Sequence, residues 1–361
     1  GLETGRTLNV ESHFHNGTEF FTVTEPAPTP VDPIEASALK ARIYTQIRPD
    51  LERIEAELHG HLDSSIPLIG VIGRHIMGSG GKRLRPLLMV LSARLCGYQG
   101  NHDAPLAVSL EFLHAATLLH DDVVDNAELR RARPAANTVW GNPAAVLVGD
   151  FLYSKSVLMT VGYQNLRILE VFSDTTTRMA EGEVLQLMHS DNLEIDEPGY
   201  FEVIRRKTAV LMSAACRIGG IFGGGSSDQE KALGDYGHHL GIAFQLTDDA
   251  LDYMGDRNEL GKPVGNDLRE GKATLPLIHA MRTAKPEDRR TIQRVFGSEA
   301  ASPEAFETVR RIVHGSGGIE YTLQRALEHV ATAKTALSIF PEHPSRGILL
   351  DIADYVLCRK T

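Results

Sequence analysis

The chain has 361 residues, of which 42% are hydrophobic and 23% charged, with a formal net charge of −10 at pH 7. That apolar content supports a sizeable core, and the negative balance argues against nucleic acid or an anionic membrane as the main partner. A bound phosphate must therefore be met by a local cluster of bases or by metal ions. Cys96, Cys216 and Cys358 lie far apart with no CxxC pair, a usage that fits a reducing compartment and leads to the expectation of a cytoplasmic protein. No run of about 18 or more apolar residues predicts a spanning helix. No charged segment followed by an apolar run opens the sequence, so no secretory signal is expected.

Residues 1–35 are polar, lack periodicity and carry Pro26, Pro28, Pro30 and Pro33, which predicts an N-terminal arm or tail. From 36 to 361 apolar residues recur at three- and four-residue spacing, as in Leu51, Ile54, Leu58 and Leu62. Short breaks with turn chemistry separate segments of helical length, and no convincing run of alternating strands occurs. The expectation is one all-α domain, a bundle of ten or more helices.

The first chemical signal along the chain is GGKRLRP at 80–86. It places Lys82, Arg83 and Arg85 just after a glycine turn at a helix start, where backbone donors and guanidinium forks suit a phosphate. Arg83 stands where a P-loop needs Ser or Thr, so this is not a P-loop. Next, the apolar run FLHAATLLH leads into DDVVD at 121–125, and LGIAFQLT leads into DDALD at 248–252. Residues four apart share a helix face, so Asp121 and Asp125 point together, as do Asp248 and Asp252. At average composition one such motif arises by chance in roughly a tenth of chains this long, and two in fewer than about 1%. Magnesium is the natural counter-ion, since it takes one or two carboxylates and fills its shell with water and phosphate oxygens. Arg130, Arg131 and Arg133 follow the first motif; Lys207 lies in KTA at 207–209, and Lys262 and Lys272 in GKPVGNDLREGK at 261–272. Two sets of phosphate-binding groups result, one tied to metal and one purely basic.

GGKRLRP, HDDVVDNAELRR, GDFLYSKS, EGEVLQL, KTA, FQLTDDALDY and GKPVGNDLREGKATLPL occur in an order and spacing that resemble the trans-prenyl diphosphate synthases. The resemblance covers about 45–361 and is nearest to the bacterial long-chain members, which make products of octaprenyl length for quinone side chains. It implies an isoprenoid-synthase-like bundle around a central cavity, a homodimer, and condensation of isopentenyl diphosphate with an allylic diphosphate such as farnesyl diphosphate. It also implies about three Mg²⁺ ions per site, held through Asp121, Asp125 and Asp248 with Asp249 and Asp252 in supporting places. Arg130, Lys207, Lys262 and Lys272 fall to the allylic diphosphate. Lys82, Arg85, His114 and Arg131 fall to isopentenyl diphosphate, and Thr208 and Gln245 to the allylic cation. In the family the released pyrophosphate takes up the proton. One departure is Ala132-Arg133 in place of the usual glycine-lysine, which leaves a base there. Short-chain relatives carry bulky aromatics four or five residues before the first motif; here Ala116 and Thr117 stand there, with Leu113 deeper, so a tunnel for a long tail is expected along this helix.

Overall fold

The structure is a computed structural model that describes residues 9–15, 18–24, 33–78, 81–131, 133–254, 265–298 and 300–358. Its body is helical from Pro33 onward, as the spacing of apolar residues predicts. In chain order the helices are α1 (Pro33–His61), α2 (Pro67–Gly78), α3 (Leu84–Leu95), α4 (Asp103–Val124), α5 (Ala136–Trp140), α6 (Asn142–Val161), α7 (Leu166–Met188) and α8 (Glu197–Ile204). There follow α9 (Val210–Phe222), α10 (Ser227–Met254), α11 (Asn266–Arg269), α12 (Leu275–Thr283), α13 (Pro286–Val295), α14 (Pro303–Gly315), α15 (Gly318–Ala336) and α16 (Pro344–Cys358). Helix starts carry their own chemistry. The side chains of Asn165, Asp196 and Ser302 accept from the first backbone N–H groups of α7, α8 and α14, which supplies partners for donors that a helix start leaves unpaired.

The N-terminal region, expected as an arm or tail, carries two paired strands. Strand β1 (Asn9–His15) pairs antiparallel with β2 (Thr18–Thr24), in a register running from Asn9 opposite Thr24 to His15 opposite Thr18. The intervening dipeptide is Asn16-Gly17, the strongest short hairpin signal a sequence carries. A second two-residue ladder joins Leu129–Arg130 (β3) to Arg133–Pro134 (β4) just after the first aspartate motif.

Helix α10 is central: it packs against α9, α12, α15 and α16. The main core gathers buried side chains from α1 to α4, α6 to α10, α15 and α16, while a smaller one joins the end of α10 to α11 through α15 around Tyr253, Leu268, Ile292 and Phe306. Between α8 and α9, Arg205–Ala209 forms one π-helical turn, closed by the Val210 N–H on the Arg205 carbonyl. Such turns are rare and concentrate at functional sites. Two glycines let neighbouring backbones touch it. A Cβ at Gly182 of α7 would lie 2.8 Å from the Arg206 Cβ and 3.0 Å from the Lys207 nitrogen, and one at Gly241 of α10 only 2.6 Å from the Ala209 Cα.

Among the described residues one helix, α6, is long and apolar enough by length and composition to cross a membrane. No run of about 18 or more apolar residues predicts it, since Asp150 and Lys155 lie within the helix. The helix lays one face on α4 and leaves Leu147 and Leu158 about two-thirds exposed on the other (66% and 65%).

Candidate active site

The first aspartate motif ends α4 and the second lies near the end of α10, and the π turn connects them. From that turn Lys207 places its ammonium 3.2 Å from Asp121 of α4 and 2.8 Å from Glu183 of α7. Lys272, from the segment after α11, reaches Asp125 and Glu270, both at 2.9 Å. Burial pulls Lys272 down, but the two carboxylates outweigh it and leave the ammonium above its usual range. Among the described residues no three His, Cys, Asp or Glu side chains already form a compact metal site; the lysines hold the carboxylates where a cation would. The acid set nonetheless fits one. Burial and then the neighbouring Asp252 and Asp249 push Asp267 well above the carboxylate range. Burial likewise raises Glu183, with Asp121 adding to it. Crowded carboxylates that push one another upward are relieved by a divalent ion.

The second motif divides its carboxylates among different tasks. Asp249 is buried and accepts from the Tyr200 hydroxyl of α8 and, at 2.8 Å, from the Gln245 amide. Gln245 in turn accepts from the Thr208 hydroxyl at 2.9 Å. Burial pushes Asp249 up to about 7 against the two hydrogen bonds that favour its charged form. Asp252 turns away to accept from the backbone N–H groups of Asn266 and Asp267, each at 3.2 Å, and so starts α11. Asp248 lies near enough to Arg85 and Arg131 to favour their charged forms. Tyr200, Thr208, Gln245, Asp249, Asp267 and Lys272 line one cavity of about 190 Å³.

A separate basic cluster lies beneath the start of α3. Arg83, in the left-handed backbone region at φ 45°, turns inward to Glu55 of α1 at 2.6 Å, Glu111 of α4 at 3.1 Å and the Met77 carbonyl at 2.8 Å. It is a structural residue, and it frees the turn to present its neighbours. Arg85 has a buried Nε without a hydrogen-bond partner. Burial, then Arg131, lower it; burial, then Arg130, lower Arg131. His114 is held well below its ordinary value by burial and then by Arg85, Arg131, Arg130 and Arg83, which leaves it neutral. Mutually repelling cations with an unpaired donor are what an oligophosphate satisfies. Lys82 extends to 5.6 Å from the ring of Tyr355 on α16.

The polyprenyl synthetase family model matches residues 67–313. The chain is 44% identical to octaprenyl diphosphate synthase of Escherichia coli K12 over 310 residues, covering 86% of this chain and 96% of that protein. The chain belongs to the polyprenyl synthetase family. As a polyprenyl synthetase it is a prenyltransferase. It is also 39% identical to the geranyl-diphosphate-specific all-trans-nonaprenyl-diphosphate synthase of Rhodobacter capsulatus, over 89% of this chain and 98% of that one. Its fold matches the crystal structure of a polyprenyl synthase from Caulobacter crescentus CB15, complexed with calcium and isoprenyl diphosphate. That match has a TM-score of 0.85 and 40% identity, covering 89% of this chain and 98% of the other.

Within this polyprenyl synthetase the expected groups converge in part. Asp121, Asp125, Lys207, Thr208, Gln245, Asp249 and Lys272 meet around the π turn, and Arg85, His114 and Arg131 form the second cluster. Arg130, expected on the allylic diphosphate, instead grips the buried Asp122 through Nε at 2.8 and 2.9 Å and its terminal nitrogen at 2.7 Å. Lys262 lies outside the described residues. Leu113 and Ala116 are packed in the main core, and Thr117, half-buried, donates to the His114 carbonyl at 2.8 Å. The 190 Å³ cavity is lined from α7, α8, α10 and the 267–274 segment rather than by these three. Sequence reasoning missed Glu183, Tyr200, Asp267 and Glu111. Glu183 and Asp267 stand inside quoted motifs without an assigned task; Tyr200 and Glu111 carry no sequence signal at all.

Proposed function

We propose that the enzyme is a long-chain trans-polyprenyl diphosphate synthase. It condenses isopentenyl diphosphate with an allylic primer such as farnesyl diphosphate and releases pyrophosphate, giving octaprenyl or similar chains for a quinone tail. The carrying observation is the pair of differently built anion sites: lysines and aspartates at the π turn, and arginines with a neutral histidine beneath α3. Lys207 and Lys272 bind the primer's diphosphate beside Asp121, Asp125 and Asp248, with Lys262 added by resemblance. Asp121, Asp125 and Asp248 would hold Mg²⁺, about three ions by resemblance, which would neutralise charge on the departing pyrophosphate. The primer's C–O bond breaks, and its electron pair leaves with pyrophosphate. The Thr208 hydroxyl and the Gln245 carbonyl oxygen turn their negative ends toward the allylic cation. Arg85, Arg131, His114 and Lys82 hold isopentenyl diphosphate so that its double bond supplies the electrons of the new C–C bond. The proton lost from the adduct passes to pyrophosphate, since none of the residues above is placed as a base.

The exposed apolar faces of α6 (Leu147, Leu158) and of the end of α7 (Leu187, Met188) support a homodimer, because a monomer seldom leaves contiguous apolar stripes to water. Three free cysteines support a reducing, cytoplasmic setting. Purified protein given labelled isopentenyl diphosphate, farnesyl diphosphate and Mg²⁺ is expected to release pyrophosphate and yield chains of about eight isoprene units. Products that stop at geranylgeranyl length would assign it to the shorter-chain class. No product without a second polypeptide would make it one subunit of a heteromer.

A further inference from the structure

The Gln245 amide offers two faces, and only one of them helps a cation. Its carbonyl oxygen presents negative charge, whereas its NH₂ end presents positive charge, and the two differ by a half-turn about the last side-chain bond. Thr208 cannot choose between them, because a hydroxyl donates or accepts equally well. Asp249 can choose: one of its oxygens takes the Gln245 amide N–H at 2.8 Å and the other takes the Tyr200 hydroxyl, so the amide bonded to it offers its NH₂ side. The carboxylate holds its own orientation because its other oxygen takes the hydroxyl of Tyr200. Tyr200, Asp249 and Thr208 are each buried, so water does not substitute freely along this row, and all four residues line the same cavity.

We infer that Tyr200 is a positioning residue for the prenyl transfer: through Asp249 it locks Gln245 with its carbonyl oxygen toward Thr208 and the reacting carbon. The inference rests on the proposed function and deepens it. Tyr200 lies on α8, outside both aspartate motifs, and its hydroxyl is committed to Asp249 rather than to a lysine or arginine of either diphosphate site. Without its hydroxyl, Asp249 loses one of its two donors and can rotate. Gln245 can then flip and turn its positive end toward the developing cation. Lys207 and Lys272 keep their own carboxylate partners, so binding of both substrates changes little; the bond-breaking step slows.

The test is a double-mutant cycle on the chemical step, measured by rapid-quench single turnover with labelled isopentenyl diphosphate, farnesyl diphosphate and Mg²⁺. Tyr200→Phe is expected to lower the single-turnover rate by about fivefold or more, with both KM values within about twofold of wild type. On a Gln245→Ala background the same change is expected to cost less than about twofold, because the residue it acts through is gone. A merely structural tyrosine would lower the melting temperature and carry its full factor on both backgrounds. Tyr200→Phe at wild-type rate, or an equal factor on both backgrounds, overturns the inference. A Tyr200→Phe protein that circular dichroism shows not to fold makes the hydroxyl structural and likewise overturns the inference. A wild-type protein that makes no elongated product sinks the functional reading itself, whereas an active wild type with additive losses sinks only the positioning row.

Discussion

Lys272 and Asp125 are 147 residues apart in sequence, yet the ammonium of one lies 2.9 Å from the carboxylate of the other. In the free protein the lysine thus does part of a metal ion's work. Replacing it with an uncharged residue of similar length should separate two effects. Lys272→Met is expected to bind Mg²⁺ several-fold more tightly without substrate, because Asp125 has lost its internal partner, yet to turn over about 10- to 100-fold more slowly, because the diphosphate has lost a cation. Calorimetric Mg²⁺ titration alongside steady-state kinetics checks both; Mg²⁺ affinity unchanged from wild type would mean the pair does not compete with the ion.

Removing a metal-side carboxylate should affect chemistry and spare the fold. Asp121→Ala leaves Lys207 with Glu183 at 2.8 Å, so no buried lysine is stranded. Either Asp121→Ala or Asp248→Ala is expected to lower kcat by several orders of magnitude at an unchanged melting temperature. Near-normal turnover in either variant would remove that aspartate from the metal set.

The second anion site should respond selectively. Arg85→Ala is expected to raise the KM for isopentenyl diphosphate by about 10- to 100-fold, the range for a charge-assisted contact, and to move the primer's KM by far less. Lys82→Ala, whose ammonium lies over Tyr355, should follow the same pattern more weakly. Equal rises for both substrates would mean that the two sites are one.

Neighbouring positions on α4 should behave differently. Ala116 is 1% exposed in the core, so Ala116→Phe is expected to lower stability by about 1–3 kcal/mol through overpacking. Thr117 is only half-buried, and Thr117→Phe is expected to give a stable enzyme with products of about three or four isoprene units, the ring closing the tail's path one turn below Asp121. Thermal melts and product chromatography separate the cases. A stable Thr117→Phe enzyme making full-length chains would place the length-setting residues on another helix.

A further pair links α10 to α15 and should make stability depend on pH. The Nδ1 atoms of His239 and His329 lie 2.8 Å apart, a spacing with room for one proton. Burial, then His239 and Arg325, push His329 down to about 4, and burial also lowers His239 and His238. Asp235 favours the charged forms of His238 and His239, while Arg205 opposes all three. The unfolded chain therefore takes up these protons first. The stability due to neutral His329 is complete above about pH 6.5 and drains as pH falls toward 4. Wild type should lose about 1 kcal/mol between pH 7 and 5 from this residue, after allowance for its partial exposure. His329→Gln should flatten that decline, and parallel melting curves for the two proteins would refute it.

The helical body and both aspartate motifs were legible because their signals are local: spacing sets the face, and a run of residues sets the motif. Family likeness grouped Lys207, Thr208 and Gln245, which the structure brings together at one cavity, because likeness carries tertiary information that no window of sequence holds. The donors that complete the site were not legible. Tyr200 meets Asp249 across 49 residues, and Glu111 meets Arg83 across 28, so neither pairing leaves a mark on its own helix. Arg83 resembles its neighbour Arg85 in GGKRLRP, and only the left-handed turn at φ 45° divides them, one arginine bonded to Glu55 and Glu111 and one with its Nε left without a partner. The hairpin at Asn9–Thr24 was readable from Asn16-Gly17 and was outweighed by the prolines after it.

The contacts of Gly182 and Gly241 with the π turn divide the enzyme into parts that can and cannot drift. The turn carrying Lys207 and Thr208 is gripped backbone to backbone, with less room on either side than a methyl group needs. Side chains can be exchanged to suit a new tail; a main-chain vise cannot be loosened by one substitution without releasing what it holds. Selection for a different product can therefore work through side chains away from this turn, while the turn itself stays fixed. One rigid turn under exchangeable side chains is a physical reason why family members at about 40% identity can be named for products of different length.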